Sequence, residues 1–125
     1  MKILVIDDEV DIQYLFEQKF RKEIRNNEVE FVFAFTAEDA VKYMDIHNHE
    51  VILILTDINM PGMSGLELLK YFKKHYIDPS PKVILITAYS DDENYNLAMK
   101  HGAEDFLTKP IDFNHLKKKL KTIFI

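Results

Sequence analysis

The sequence predicts a doubly wound α/β fold, a parallel sheet with helices on both faces. Three observations carry that prediction. Short, branched, apolar segments alternate five times with longer segments of helical spacing. Several of the short segments are apolar at consecutive positions, as strands covered on both faces are. Polar residues gather just where the short segments end, the edge at which such sheets keep their ligand site.

Residues 2–6 (KILVI), 29–35 (VEFVFAF), 51–55 (VILIL) and 82–87 (KVILIT) read as the first four strands, with 105–108 (DFLT) a weaker fifth. A first helix is expected from the stripe Ile12, Leu15, Phe16, Phe20 and Ile24. Thr36 should cap the second, whose inward stripe is Ala37, Ala40, Val41 and Met44. Ser64 and Glu67 have the spacing of a capping box in front of GLELLKYFKKHY. A fourth helix is expected over 91–101, stopped by Gly102. Asp112 should cap the last, with Phe113, Leu116, Leu120 and Phe124 facing inward. Five βα units in a row imply right-handed crossovers.

At 125 residues the chain has the length of one domain, and no Gly- or Ser-rich linker divides it, so 1–125 reads as a single domain. Apolar residues make up 47%, enough for a core and too many for disorder. A net charge of −5 does not suggest a nucleic-acid binder. The absence of cysteine excludes disulfides and thiolate chemistry. MKILVI meets Asp7 too early for a signal peptide, and the apolar runs are strand-sized, well short of the ~20 residues that span a bilayer. The expectation is a soluble cytoplasmic domain. The run Lys117, Lys118, Lys119 and Lys121 reads as the solvated face of the last helix, since Leu116 and Leu120 supply its buried stripe.

The strand ends carry the chemistry. The first delivers Asp7 and Asp8, the third Asp57, the fourth Thr87, and Lys109 and Pro110 follow the fifth. Taken singly, each has a structural explanation: Asp8 and Asp57 as caps or turn residues, Thr87 as a strand former, Lys109 as a surface lysine. Their conjunction at four of five strand ends favours a shared site. Three clustered carboxylates repel one another unless a cation sits among them. Mg²⁺ suits the set, being small, oxygen-seeking and usually held by one or two carboxylates, waters and a phosphate. His47 and His49 are too close in sequence to share a helix face, and no cysteine is available, so a zinc site is not expected. Beside such a cation Asp57 can act as a nucleophile and keep a phosphoryl group as an aspartyl phosphate. Lys109 would neutralise charge on the phosphoryl oxygens, and Thr87 would donate a hydrogen bond to them.

With these residues in view, the chain resembles the receiver domain of two-component response regulators. VIDDE (5–9), ILTDINMPGMSGLELL (54–69), VILITAY (83–89) and GAEDFLTKP (102–110) match in order and spacing, and the match covers essentially the whole chain. The resemblance implies a flavodoxin-like (βα)5 fold with strand order 2-1-3-4-5. It implies that Asp57 accepts a phosphoryl group from a histidine on a sensor kinase or phosphotransfer protein, in a phosphorelay that needs Mg²⁺ or, in its place, Mn²⁺. Asp7 and Asp8 would shape the metal site. Asp8 and Asp57 would be direct ligands, and Asn59 would lend its backbone carbonyl. Lys109 would pair with the phosphate, and the Lys109–Pro110 peptide is usually cis in relatives. Thr87 and Phe106 would form the switch pair, acting on a partner face made by the last two helices and the last strand. Asn59 and Tyr89 stand where relatives tune phosphate lifetime. On this reading the domain is no enzyme beyond assisting its own phosphoryl transfer and dephosphorylation. Its partners would be the kinase and an output domain or protein, with no nucleic acid or membrane. It would be a monomer or a phosphorylation-dependent dimer.

Two positions depart from common usage. Ile111 stands where the family often has Phe, a packing difference, and Phe106 lacks the hydroxyl many relatives carry, which predicts a weaker bias toward the outward ring state. An aspartate-nucleophile phosphatase of the haloacid-dehalogenase type would carry its nucleophile on the first motif strand and an acid two residues on, where this chain has Asn59. A flavin module would need a Ser/Thr/Gly-rich loop after strand one, where this chain has the acidic DDEVDI. A degenerate receiver serving only as a scaffold would be recognised by failure to bind Mg²⁺.

Overall fold

The structure is a computed structural model that describes residues 1–89 and 92–123. Its elements run β1 (Lys2–Ile6), α1 (Asp11–Lys19), α2 (Arg21–Arg25), β2 (Glu30–Ala34), α3 (Ala37–His47), β3 (Val51–Asp57), α4 (Gly65–His75), β4 (Lys82–Thr87), α5 (Asp92–Lys100), β5 (Asp105–Thr108) and α6 (Phe113–Ile123). The strands form one sheet in the order β2-β1-β3-β4-β5, and every pairing is parallel. This is the doubly wound architecture that the sequence predicts, in the strand order that the resemblance implies.

Consecutive apolar residues in the central strands serve two cores. Leu4, Ile6, Ile54, Val83 and Leu85 face one side, where Ala40, Met44, Leu68 and Phe72 from α3 and α4 cover them. Ile3, Val5, Leu53, Leu55, Ile84 and Ile86 face the other, against Ile12, Phe16, Phe20, Phe113, Leu116 and Leu120. A pleated strand presents alternate residues to opposite faces, so a strand covered on both must be apolar throughout.

The caps fall where the sequence puts them. Thr36 accepts a hydrogen bond from the Asp39 amide, and Ser64 from the Glu67 amide. The reciprocal half of the capping box is replaced, since the Ser64 hydroxyl donates to the Glu67 carboxylate at 3.4 Å. Asp112 accepts from the His115 amide at 3.1 Å. Gly102 takes a positive φ of 93° after α5. Residue 91, placed in the fourth predicted helix, and Phe124, predicted to face inward, lie outside the described residues.

Three local features differ from expectation. The first predicted helix is two, because Phe20 leaves helical geometry (φ −107°, ψ 21°) between α1 and α2. The stripe cannot register the break, since Phe20 and Ile24 keep their four-residue spacing across it. Leu15 is 38% exposed rather than inward. At 3.6 residues per turn it sits about 100° from Phe16, toward the margin of the stripe that Ile12, Phe16 and Phe20 centre. Strand β3 continues two residues past the predicted Leu55, so that Thr56 and Asp57 pair with β4 inside the sheet.

Candidate functional site

The strand-end residues Asp7, Asp8, Asp57, Thr87 and Lys109 lie at the carboxyl edge of the sheet. Asp7 follows β1 directly and is held there as its amide donates to the Ala34 carbonyl at 3.1 Å. Asp57 is the last residue of β3, in register with Ile86 of β4. The next amide, that of Ile58, donates to the Ile86 carbonyl at 2.8 Å, so the backbone behind Asp57 is fixed. Thr87 closes β4 and its carbonyl accepts from the Lys109 amide at 2.7 Å. The Lys109–Pro110 peptide is cis.

Asp7, Asp57 and Thr87 are buried and Asp8 is exposed. One carboxylate oxygen from each of Asp7, Asp8 and Asp57 lies within 4.8 Å of the other two. The Lys109 ammonium reaches between them, 3.0 Å from Asp7, 3.4 Å from Asp57 and 4.0 Å from Glu9. Burial pushes the Asp57 carboxyl up. Lys109 opposes that, the charge of Asp7 adds to it, and the net lies above the ordinary value. Burial works against the Lys109 ammonium too, but the hydrogen bond it donates to Asp7 and the charges of Asp7, Asp57 and Glu9 outweigh it and raise its pKa.

Three carboxylates thus surround one ammonium, and a fourth, Asp8, lies beside two of them. The imbalance, and a donor set made wholly of oxygen, fit a hard divalent cation such as Mg²⁺ or Mn²⁺. Among the described residues no histidine joins the cluster. His47 ends α3 and meets Glu50 at 2.5 Å, and His49 lies in the turn that follows.

Asn59 spans two parts of the site. Its backbone amide donates to Asp57 Oδ1 at 3.4 Å, and its side-chain nitrogen donates to the Thr87 hydroxyl at 3.3 Å. The Tyr89 amide donates to the same hydroxyl at 3.1 Å, while the Tyr89 ring is exposed. Phe106 is half-buried, its ring edge-on to Tyr95 at 5.8 Å. A cleft of about 760 Å³ opens beside Lys109, between α1 and the loop entering α6, with Ile12, Leu15 and Ile111 on its walls.

Two contributors lie inside the quoted motifs without a role assigned to them there. Glu9 donates its amide to Asp7 Oδ1 at 2.9 Å and sets its carboxylate near Lys109. The signal was its place two residues after Asp7, where an Asx-type turn forms. Gly65, the first residue of α4, is a point of close approach. A Cβ there would stand 2.4 Å from the Asp57 carbonyl oxygen. In the lysine run of α6, Lys117 pairs with Glu23 at 3.0 Å and Lys119 with Asp105 at 2.6 Å, so two of the four have partners within the chain.

Comparison with known proteins agrees with this geometry. The family model of the response regulator receiver domain matches residues 3–121. Sporulation initiation phosphotransferase F of Bacillus subtilis is 32% identical over 121 residues, which are 96% of this chain and 90% of that protein. Transcriptional regulatory protein CrdR of Helicobacter pylori is 29% identical over 98% of this chain, which spans only about half (54%) of that relative. The solved CheX–CheY–BeF3–Mg²⁺ complex from Borrelia burgdorferi superposes with a TM-score of 0.86 at 25% identity, covering 100% of this chain and 90% of that one. With four motifs converging at one sheet edge and the family match spanning nearly its whole length, the chain belongs to the response regulator receiver domain family.

Proposed function

We propose that this domain is a phosphorylation-dependent switch in a two-component phosphorelay, with Asp57 as the phosphoacceptor. The observation that supports this best is the setting of Asp57. It is a buried carboxylate on a rigid strand end, with Asp7 and Asp8 on one side and Lys109 between. The phosphodonor is a histidine of a sensor kinase or of a phosphotransfer protein. A carboxylate oxygen of Asp57 attacks the phosphorus, and a P–O bond forms as the P–N bond to the donor imidazole breaks. The imidazole nitrogen keeps the electron pair. Mg²⁺, held by Asp8, Asp57 and the Asn59 backbone carbonyl and supported by Asp7, would supply positive charge to the phosphoryl oxygens. Lys109 supplies the chain's own. Thr87 then donates to the bound phosphoryl group, and the ring of Phe106 turns inward as Thr87 moves. The readout is the face of α5, β5 and α6, on which an output domain, a partner protein or a second copy would act. The setting is cytoplasmic, and no helix among the described residues is long and apolar enough to cross a membrane.

Incubation with Mg²⁺ and acetyl phosphate, followed by intact-mass measurement, tests this reading. One added phosphoryl group is expected, removable by hydroxylamine because acyl phosphates react with it. An unmodified wild type, or equal labelling of Asp57→Ala, overturns it.

A further inference from the structure

We propose that the side-chain amide of Asn59 is a positioning residue for Thr87, turning its hydroxyl into a dedicated hydrogen-bond donor toward the acceptor carboxylate's ligand. The inference rests on the reading of Asp57 as phosphoacceptor and deepens it.

A threonine hydroxyl carries one hydrogen and two lone pairs. At Thr87 the oxygen accepts from the Tyr89 amide at 3.1 Å and from Asn59 Nδ2 at 3.3 Å. Both lone pairs are therefore engaged, and toward any third group the hydroxyl can act only by giving its hydrogen. A phosphoryl oxygen is an acceptor and needs that polarity. The Tyr89 bond is made by backbone two residues along and would form with many side chains at that position. The Asn59 bond is specific to a side chain, and it comes from across the sheet edge, 28 residues away in sequence. Asn59 is also the residue whose backbone amide points at Asp57 Oδ1. Phosphoacceptor and hydroxyl are thus registered to each other through one residue. Asn59 itself is exposed while Thr87 is 1% exposed, so the amide acts as a bracket laid over a buried group.

Two measurements decide the matter, neither of which a purely structural role for Asn59 would move. The first uses unphosphorylated protein. Three-bond NMR couplings at Thr87 should report one χ1 rotamer in the wild type and an average over rotamers in Asn59→Ala. The second is a double-mutant cycle on the initial rate of labelling by acetyl phosphate. Loss of one neutral hydrogen bond should slow labelling about two- to tenfold in the Asn59→Ala variant. The same change should have no effect in a Thr87→Val background, where there is no hydroxyl to orient. Unchanged couplings, or equal slowing in both backgrounds, overturn the proposal. If Thr87→Val labels too slowly to compare, the couplings decide. A wild type that takes no label defeats the reading of Asp57 and the donor role with it. Labelling with unaltered Thr87 couplings defeats the Asn59 proposal alone.

Discussion

Replacing Gly65 by alanine is a sharp test of how the acceptor is mounted, because two physical effects have opposite signs there. Gly65 opens α4, and its amide donates to the Ile58 carbonyl at 3.0 Å. By helix propensity alone, Gly→Ala should stabilise by up to about 1 kcal/mol. The structure predicts the reverse. The new Cβ would lie 2.4 Å from the Asp57 carbonyl oxygen, 2.9 Å from Ile58 Cα and 3.0 Å from the Asp57 carbonyl carbon. All three are backbone atoms that cannot rotate away. Ordinary contact begins near 3.4 Å, so the strand end and the helix must separate by about 1.0 Å (3.4 − 2.4). Overpacking of this kind costs about 3 kcal/mol at its upper end. Net of propensity, about 2 kcal/mol of destabilisation remains. At this chain length that is a fall in Tm of roughly 6–10 °C. The same displacement moves the backbone that carries Asp57, and misplacing a reacting group by about 1 Å costs on the order of a hundredfold in rate. Thermal melting followed by circular dichroism gives the first quantity, and initial labelling by acetyl phosphate gives the second. Gly62→Ala is the control. It has a φ of 78° but no neighbour within 4 Å, so it should cost about 1–2 kcal/mol of backbone strain and leave labelling intact. A Gly65→Ala protein that melts at or above the wild-type temperature and labels normally would refute the argument.

Three further outcomes follow from the site and its surroundings. Mg²⁺ at tenfold its Kd should stabilise the unphosphorylated domain by RT ln 11, about 1.4 kcal/mol, and the exposed Asp8→Ala should abolish the shift without unfolding the protein. A wild-type Tm indifferent to Mg²⁺ would favour a scaffold that does not bind metal. The Tyr89 ring, exposed beside the hydroxyl that its own amide contacts, should shield the phosphoryl group from water. Tyr89→Ala should therefore shorten the life of the phosphoprotein, and an unchanged decay rate would count against shielding. Burial pushes the Glu23 carboxyl up, but the Lys117 hydrogen bond and charge outweigh it and hold it below the ordinary 4.5. A depressed folded-state value contributes stability that is present above the unfolded value and lost as pH falls through the folded one. The gap in urea midpoint between wild type and Lys117→Met should hold from neutral pH to about pH 5 and then shrink. A gap independent of pH down to 3 would show that the pair contributes nothing through ionisation.

The strands and caps were legible because one-dimensional patterns determine them. Branched runs marked β1 and β4 to the residue, and Thr36, Ser64 and Asp112 cap where an oxygen precedes an apolar stripe. Strand ends were legible through topology, since in a parallel sheet all carboxyl ends meet at one edge. What escaped depends on distances between segments far apart in sequence. The bond from Asn59 to Thr87, the hydroxyl of Tyr76 just past α4 donating to Asp45 of α3, and the Lys73 ammonium donating to the Pro81 carbonyl leave no periodic trace. The break at Phe20 was invisible for another reason, because a bent pair of helices can keep the same buried stripe as a straight one. The role of Gly65 is hidden in one dimension because glycine in a sequence signals conformational freedom, whereas here it marks the absence of a side chain where α4 presses on β3.

The run that ends on Asp57 looks costly, since β3 carries a carboxylate into a 5% exposed position beside another acid. On the proposed reading, that cost is what would make the site responsive. Asp7, Asp8, Glu9 and Asp57 exceed the single charge of Lys109, so the ground state holds uncompensated repulsion that a divalent cation relieves. The backbone cannot relax to relieve it instead. Asp57 is paired into the sheet, the Ile58 amide is bonded to Ile86, and Gly65 lets α4 close against the Asp57 carbonyl. A flexible loop bearing the same acids would spread them apart in water and lose both the proposed metal site and the proposed leverage on Thr87. On the proposed reading, a change of charge at Asp57 on this rigid edge would be transmitted to Thr87, which Asn59 and the Tyr89 amide hold in the resting state, and to the half-buried ring of Phe106. The apolar run before Asp57 and the glycine-bearing loop after it are therefore parts of one device. The first denies Asp57 any freedom, and Gly65 at the end of the second lets the next helix hold it there.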